Sequence, residues 1–362
     1  MSKSRLIAFY LPQFYPTKEN DEWWEKDFTE WTNVRRGKPL FKGHYQPRVP
    51  ADLGYYDLRN PEVRQQQAEL AKEAGIEGFC YWHYWFSGRK LLDRVFSEVV
   101  ASGKPDLPFC LCWANHSWYQ KTWDPNKPDK LLIEQTYDGV EDDIAHFNDL
   151  LPAFKDSRYI KVHGKLLFGI YAPMDLNEKR FALFKQTWND LAAQHGLAGF
   201  YFFGFTFNKE DVGKIRDMGY DHTVVDYIRE RFVETSLFRN IWERVVRAFT
   251  HKPNKVYEYN DYASSLLQSF HPAERVWPCL VPCFDHSPRS DNRGIILHNS
   301  TPDKWMNLCQ QVFDRCQSRT PDENVIFIKA WNEWGEGNYM EPDQRFGKGY
   351  IEATRKAVHH DE

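Results

Sequence analysis

Eight times along the chain, a short apolar run rich in β-branched and aromatic residues is followed by a segment with helical spacing of its apolar positions. The runs fall at about 5–11, 76–84, 107–113, 165–171, 199–206, 220–226, 275–281 and 324–331. Helical segments follow at about 61–74, 91–102, 141–154, 178–195, 209–218, 258–270, 302–317 and 348–359. The first is the best bounded: Asn60 can cap it, Pro61 sits where its missing N–H costs nothing, and Gly75 ends it. Eight strand–helix repeats favour an α/β fold of the (β/α)8 TIM-barrel kind. An open doubly wound sheet would call for a glycine-rich phosphate turn that is missing here. The 362 residues are therefore read as a single domain, 1–362, with long βα loops. Two connections exceed the usual length. One is a first loop at about 12–59, carrying Trp23, Trp24, Trp31, His44 and Gln46. The other is a locally basic insertion at about 227–257, with Arg231, Arg239, Arg244, Arg247, Lys252 and Lys255.

Composition narrows the function. A formal charge of -4 without a long basic run argues against nucleic acid and anionic membranes as partners. No run of about 18 apolar residues occurs, so no transmembrane segment is expected. Met1 to Arg5 leads into an apolar stretch broken at Pro12, too short for a signal peptide, and a cytoplasmic location is expected. Of the 7 cysteines, Cys80, Cys110, Cys112 and Cys279 lie in strand-like stretches and read as reduced core residues. Cys110-x-Cys112 and Cys279-x-x-x-Cys283 have no second pair at zinc spacing, so no metal is assigned. The chemistry envisaged below needs no cofactor, and nothing in the sequence specifies an oligomeric state. The unusual quantity is aromatic content: 26 Phe, 19 Tyr and 14 Trp make 16% of the chain. A Phe-rich core accounts for Phe better than for Trp. Flat rings with polar edges suit stacking on the CH faces of sugars, which points to an oligosaccharide or polysaccharide partner.

In a barrel the loops after the strands build the active site. The second strand ends in Tyr81-Trp82-His83-Tyr84-Trp85 and the third in Trp113-Ala114-Asn115-His116-Ser117-Trp118. The seventh leads into Cys283-Phe284-Asp285-His286-Ser287-Pro288-Arg289. The eighth delivers Trp331-Asn332-Glu333-Trp334-Gly335-Glu336-Gly337, then Asn338-Tyr339-Met340-Glu341. Two carboxylates three apart leave one strand end. Burial among tryptophans raises a carboxyl pKa toward that of a general acid, and a second acid nearby can act as base or nucleophile. Glu333 and Glu336 are thus the catalytic candidates; the alternative is a pair of solvated or capping loop acids. Substrate-binding candidates are Tyr10, Trp31, His44, Trp82, His83, Tyr84, Trp113, Asn115, His116, Asp285, His286, Trp331, Asn332, Trp334 and Glu341. For the histidines the competing role is that of a hydrogen-bonded structural imidazole, and for Glu341 a structural salt bridge.

Four motifs taken in order resemble one family: Phe9-Tyr10-Leu11-Pro12-Gln13-Phe14-Tyr15, Glu30-Trp31-Thr32-Asn33-Val34, Gly78-Phe79-Cys80-Tyr81-Trp82-His83-Tyr84-Trp85 and Trp331 to Gly337. They look like the WbsX-like proteins, which carry a glycosyltransferase label from lipopolysaccharide and O-antigen clusters and are similar to glycoside hydrolase family 99, the endo-α-mannosidases. The resemblance covers almost the whole chain. It implies a (β/α)8 barrel and a retaining mechanism. In that mechanism Glu336 would protonate the leaving oxygen, and Glu333 would deprotonate the sugar 2-hydroxyl to give a 1,2-anhydro sugar. The long first loop matches the WbsX-like group rather than the mannosidases proper. Three functions fit these residues: a retaining glycoside hydrolase or transglycosylase acting on a bacterial polysaccharide or glycan precursor, a glycosyltransferase, and a non-catalytic glycan-binding protein.

Overall fold

The computed structural model describes residues 4–120, 128–229, 253 and 255–359. Eight parallel strands form the barrel: β1 (Arg5–Tyr10), β2 (Gly78–His83), β3 (Phe109–Trp113), β4 (Lys165–Ile170), β5 (Phe200–Thr206), β6 (His222–Asp226), β7 (Val276–Leu280) and β8 (Val325–Ile328). Each pairs with the next, and β8 pairs back to β1, with Arg5 opposite Val325 and Ala8 opposite Ile328, so the sheet has no free edge. The eight expected runs each contain one of these strands.

The outer layer consists mainly of α3 (Pro61–Ala74), α4 (Arg94–Ser102), α5 (Val140–Phe154), α6 (Glu178–Gln194), α7 (Val212–Asp217), α8 (Tyr259–Ser269), α10 (Pro302–Cys316) and α11 (Gly349–Val358). Around these, α1 (Lys18–Trp23) and α2 (Glu30–Arg36) lie in the first loop, and α9 (Ser287–Ser290) follows β7. The boundaries of α3 have local causes. The Asn60 side chain accepts from the Glu62 N–H, and Gly75 turns the chain at φ +82°, a left-handed conformation that favours glycine. The segment expected as one helix at 209–218 is a 3₁₀ turn, Lys209–Asp211, running into the short α7. Past β3, Trp118–Gln120 pairs antiparallel with Lys130–Ile133, a ribbon the periodicity did not suggest.

Aromatic side chains fill the barrel. The Phe9 ring stacks on Trp82 with centroids 4.5 Å apart and on Phe327 at 5.2 Å. Gly169 leaves room for them, because a Cβ there would lie 2.3 Å from the Phe203 ring. Much of the Phe excess is thus core packing. All seven cysteines are buried and unpaired. The first loop folds down over the end of β8: Trp31 is buried, donates from Nε1 to the Tyr56 carbonyl at 2.7 Å, and packs against Trp334. Of the basic insertion at 227–257, Arg231, Arg239, Arg244, Arg247 and Lys252 lie outside the described residues. Among the described residues no helix is long and apolar enough to cross a membrane.

Candidate active site

The C-terminal end of the barrel opens into a cavity of about 1150 Å³, floored by the turn that follows β8. Asn332 fixes the turn to the neighbouring strand: its Oδ1 accepts from the Leu11 N–H at 2.8 Å and its Nδ2 donates to the Leu11 carbonyl at 3.0 Å. Glu333 comes next, followed by a 3₁₀ turn, Trp334–Glu336. Two glycines permit this path. A Cβ on Gly335 would lie 2.5 Å from Glu30 Oε1, and Gly337 has φ +53° with Asp285 Cβ only 2.9 Å from where its own Cβ would stand. Glu333 and Glu336 both line the cavity.

A single guanidinium organises the carboxylates. Arg289, on α9, donates from Nη1 to Glu336 Oε1 at 2.6 Å, and the same nitrogen lies 3.5 Å from Glu333 Oε1. Its other edge faces Glu30 of α2, through Nε at 3.2 Å and through Nη2, while Asn33 donates to Glu30 Oε1 at 2.6 Å. The first loop is therefore ion-paired to the barrel inside the site. Lys329 adds a second cation, paired with Asp226 at 3.1 Å. Burial pushes the Glu333 carboxyl up to about 7. The Glu336 charge adds to that rise, and Arg289 and Lys329 oppose it. His286 Nε2 is 3.7 Å from Glu336, its Nδ1 meets Ser290 Oγ at 2.8 Å, and burial lowers its pKa.

Of the residues singled out from sequence, Trp82, Tyr84, His116 and His286 line the cavity with the two acids. His116 Nδ1 is buried there without a hydrogen-bond partner among the described residues. The remaining candidates are placed behind the wall, in packing and hydrogen-bonding roles. Tyr10 donates to Gln67 Oε1 at 2.7 Å; His83 Nε2 faces His146 Nε2 at 2.8 Å, with burial lowering the His83 pKa to about 3. Trp113 donates to the Trp85 carbonyl at 3.1 Å, and Asn115 ties Tyr137 and Ala172 together. His44 and Asp285 meet at 2.7 Å, and the hydrogen bonds from His44 and Ser287 together with the Arg48 charge outweigh burial to hold Asp285 down at about 2. Trp31, Trp331 and Asn332 are buried, the last clamped to Leu11. Trp334 stacks on Tyr339 at 3.7 Å and donates to Glu341 at 2.6 Å. Glu341, rather than forming a salt bridge, is enclosed by three donors: Trp334, Gln67 at 2.6 Å and Tyr56 at 2.9 Å.

The family model described as Glycosyltransferase WbsX matches residues 6–354. This chain belongs to the WbsX family. The protein WxcX of Xanthomonas campestris pv. campestris, in strains B100 and ATCC 33913, is 34% identical over 368 residues and is itself described as uncharacterized. The match covers 98% of this chain and 49% of WxcX, so the chain spans about half the length of the curated relatives it matches. Among solved structures, a glycoside hydrolase-like protein superposes with a TM-score of 0.59 at 14% identity, covering 99% of this chain and 94% of that one. The GH99 endo-alpha-mannosidase from Bacteroides thetaiotaomicron gives 0.58 at 13%, covering 99% and 98%. At such identities the likeness is one of fold.

Several wall residues of this WbsX-family chain escaped the sequence reading. Arg289 and Glu30 stood only inside quoted motifs, and their partnership across 259 residues leaves no local signal. Lys329 and Tyr171 also line the cavity, each just past the end of a barrel strand. The rule that selected Trp82 and Tyr84, a side chain at a strand's C-terminal end, would have selected them too.

Proposed function

We propose that this WbsX-family chain breaks or transfers a glycosidic bond using Glu333 and Glu336. The observation that carries this reading is the placement of both acids in the floor of one large, aromatic-walled cavity, in unlike electrostatic settings. Glu333, pushed up to about 7, can carry a proton at neutral pH. Glu336 accepts a 2.6 Å hydrogen bond from Arg289, a contact a carboxylate makes as an anion. Such a split is what acid–base cleavage of an acetal needs.

In the resting site this supports Glu333 as donor to the leaving glycosidic oxygen. As the anomeric C–O bond breaks, Glu336 takes the proton of the attacking hydroxyl, which belongs to water in hydrolysis and to an acceptor sugar in transfer. The assignment reverses the roles that the family resemblance implied, where Glu336 is the acid and Glu333 the base toward the 2-hydroxyl. Hydrolysis of an α-linked glycan is our first reading, supported by the acid pair and the barrel; direct attack by water inverts the anomeric carbon, unlike the retaining route through a 1,2-anhydro sugar that the resemblance implied. The glycosyltransferase reading is favoured by the family's own description and uses the same two residues.

The test is product analysis by mass spectrometry on end-labelled α-linked oligosaccharides, with and without nucleotide sugars, for wild type, Glu333→Gln and Glu336→Gln. Wild type should convert at least one glycan, and either variant should lose about 10³-fold in rate. Conversion only with a nucleotide sugar would select transfer. Binding without turnover in all three proteins would leave a glycan-binding protein.

A further inference from the structure

Among the described residues, the charged side chains of the cavity stand on one side. In a closed eight-stranded barrel β3 stands across from β7. The ends of β2, β3 and β4 contribute Trp82, Tyr84, Trp118, Tyr119 and Tyr171, a wall of rings. Across from them, α2 and the segment after β7 contribute Arg36, Arg289 and Arg293. Beyond these three lies a second hollow of about 470 Å³, which shares Asn33, Arg36, Arg289, Ser290 and Arg293 with the main cavity, so that the two adjoin. Among the described residues, its lining holds the cations Arg36, Lys38, Arg289 and Arg293 against a single acid, Asp291.

Arg289 is committed to the catalytic carboxylates, but Arg36 and Lys38 stand outside that cluster. Arg36 meets Glu25 at 3.0 Å and Lys38 meets Asp291 at 3.5 Å, both as exposed pairs that water and salt weaken and that a ligand can exchange. Buried in the same lining, Ser287 is 7% exposed and its Oγ has no hydrogen-bond partner among the described residues. The Ser287 hydroxyl, set among these cations, is a donor of the kind that a carboxylate or phosphate group takes.

We infer that the substrate is an acidic glycan, whose neutral ring lies on the β2–β4 wall and whose carboxylate or phosphate group occupies the hollow between α2 and the β7 segment. This rests on the reading that the cavity holds a glycan, and it names the class of that glycan. Orientation follows, since the charged group fixes which end of the chain passes Glu333 and Glu336.

The experiment is calorimetric titration of the Glu333→Gln protein with α-mannobiose, its 6-phosphate and the corresponding uronic acid disaccharide, at low and at physiological salt. At least one acidic disaccharide should bind about tenfold or more tightly than the neutral one, with the margin shrinking as salt rises. The double variant Arg36→Ala/Arg293→Ala, in the same background, should lose that margin and keep the neutral affinity. Preference for the phosphate or for the uronate identifies which acid the hollow takes. Equal affinity for all three sugars would overturn the inference while leaving the glycan reading in place. Binding of none of them, nor of longer α-linked oligosaccharides, would overturn both.

Discussion

Glu333 and Glu341 leave the same loop eight residues apart, and burial raises both carboxyls to about 7. Their surroundings differ in every other respect. Glu341 is sealed behind the cavity, with the Trp334 indole, the Gln67 amide and the Tyr56 hydroxyl donating to it. Glu333 opens on the cavity and faces a guanidinium shared with two other carboxylates. A raised pKa records burial in both cases; access and an exchangeable partner distinguish a group that can move a proton to a substrate from one that holds a fold together.

The comparison can be broken at Arg289. Arg289→Ala should cost about 100-fold or more in turnover, because Glu30, Glu333 and Glu336 are left facing one another without the shared cation. It should also cost about 3 kcal/mol in stability, since the buried Glu30 loses its ion-pair partner. Steady-state kinetics and chemical denaturation read the two effects separately, and a variant with wild-type turnover would remove Arg289 from the site.

At Glu341 the expected loss is structural. Glu341→Ala strands three buried donors and should cost about 3 kcal/mol by denaturation, with the KM of any remaining folded enzyme unchanged. The pH sign follows from its raised pKa. The carboxyl's contribution is fully present below its ordinary value of 4.5 and is lost as pH rises through about 7. Stability of Glu341→Gln should therefore fall less between pH 4.5 and pH 7 than that of wild type. An unchanged slope would mean that Glu341 is ionised throughout that range.

The same contrast explains what the sequence disclosed. Strand–helix alternation is set by burial on both faces of parallel strands, a property each segment carries by itself, and all eight strands could be read from it. Direction at a strand end follows a two-residue period, which the motif reading did not use. Trp82 and Tyr84 face the cavity, while His83 between them turns outward to His146 on α5. Asn332 and Glu333 divide in the same manner, one clamping Leu11 and the other lining the cavity. Glu341 was indistinguishable from a site acid by position alone, because two of its three donors come from residues 56 and 67, far along the chain. Arg289 was hidden for a similar reason: its value lies in Glu30, Glu333 and Glu336 converging on it from two distant segments.

The most direct test of the central claim, that Glu333 carries the reacting proton, is the pH dependence of kcat/KM on a converted glycan in wild type and Glu341→Gln. Activity should fall about tenfold per unit as pH rises above an apparent pKa near 7, identically in both proteins, with the falling limb absent from the residual activity of Glu333→Gln. A profile that instead rises through pH 7 would make Glu333 the base and restore the acid role to Glu336, and a limb that shifts with Glu341 would contradict the account.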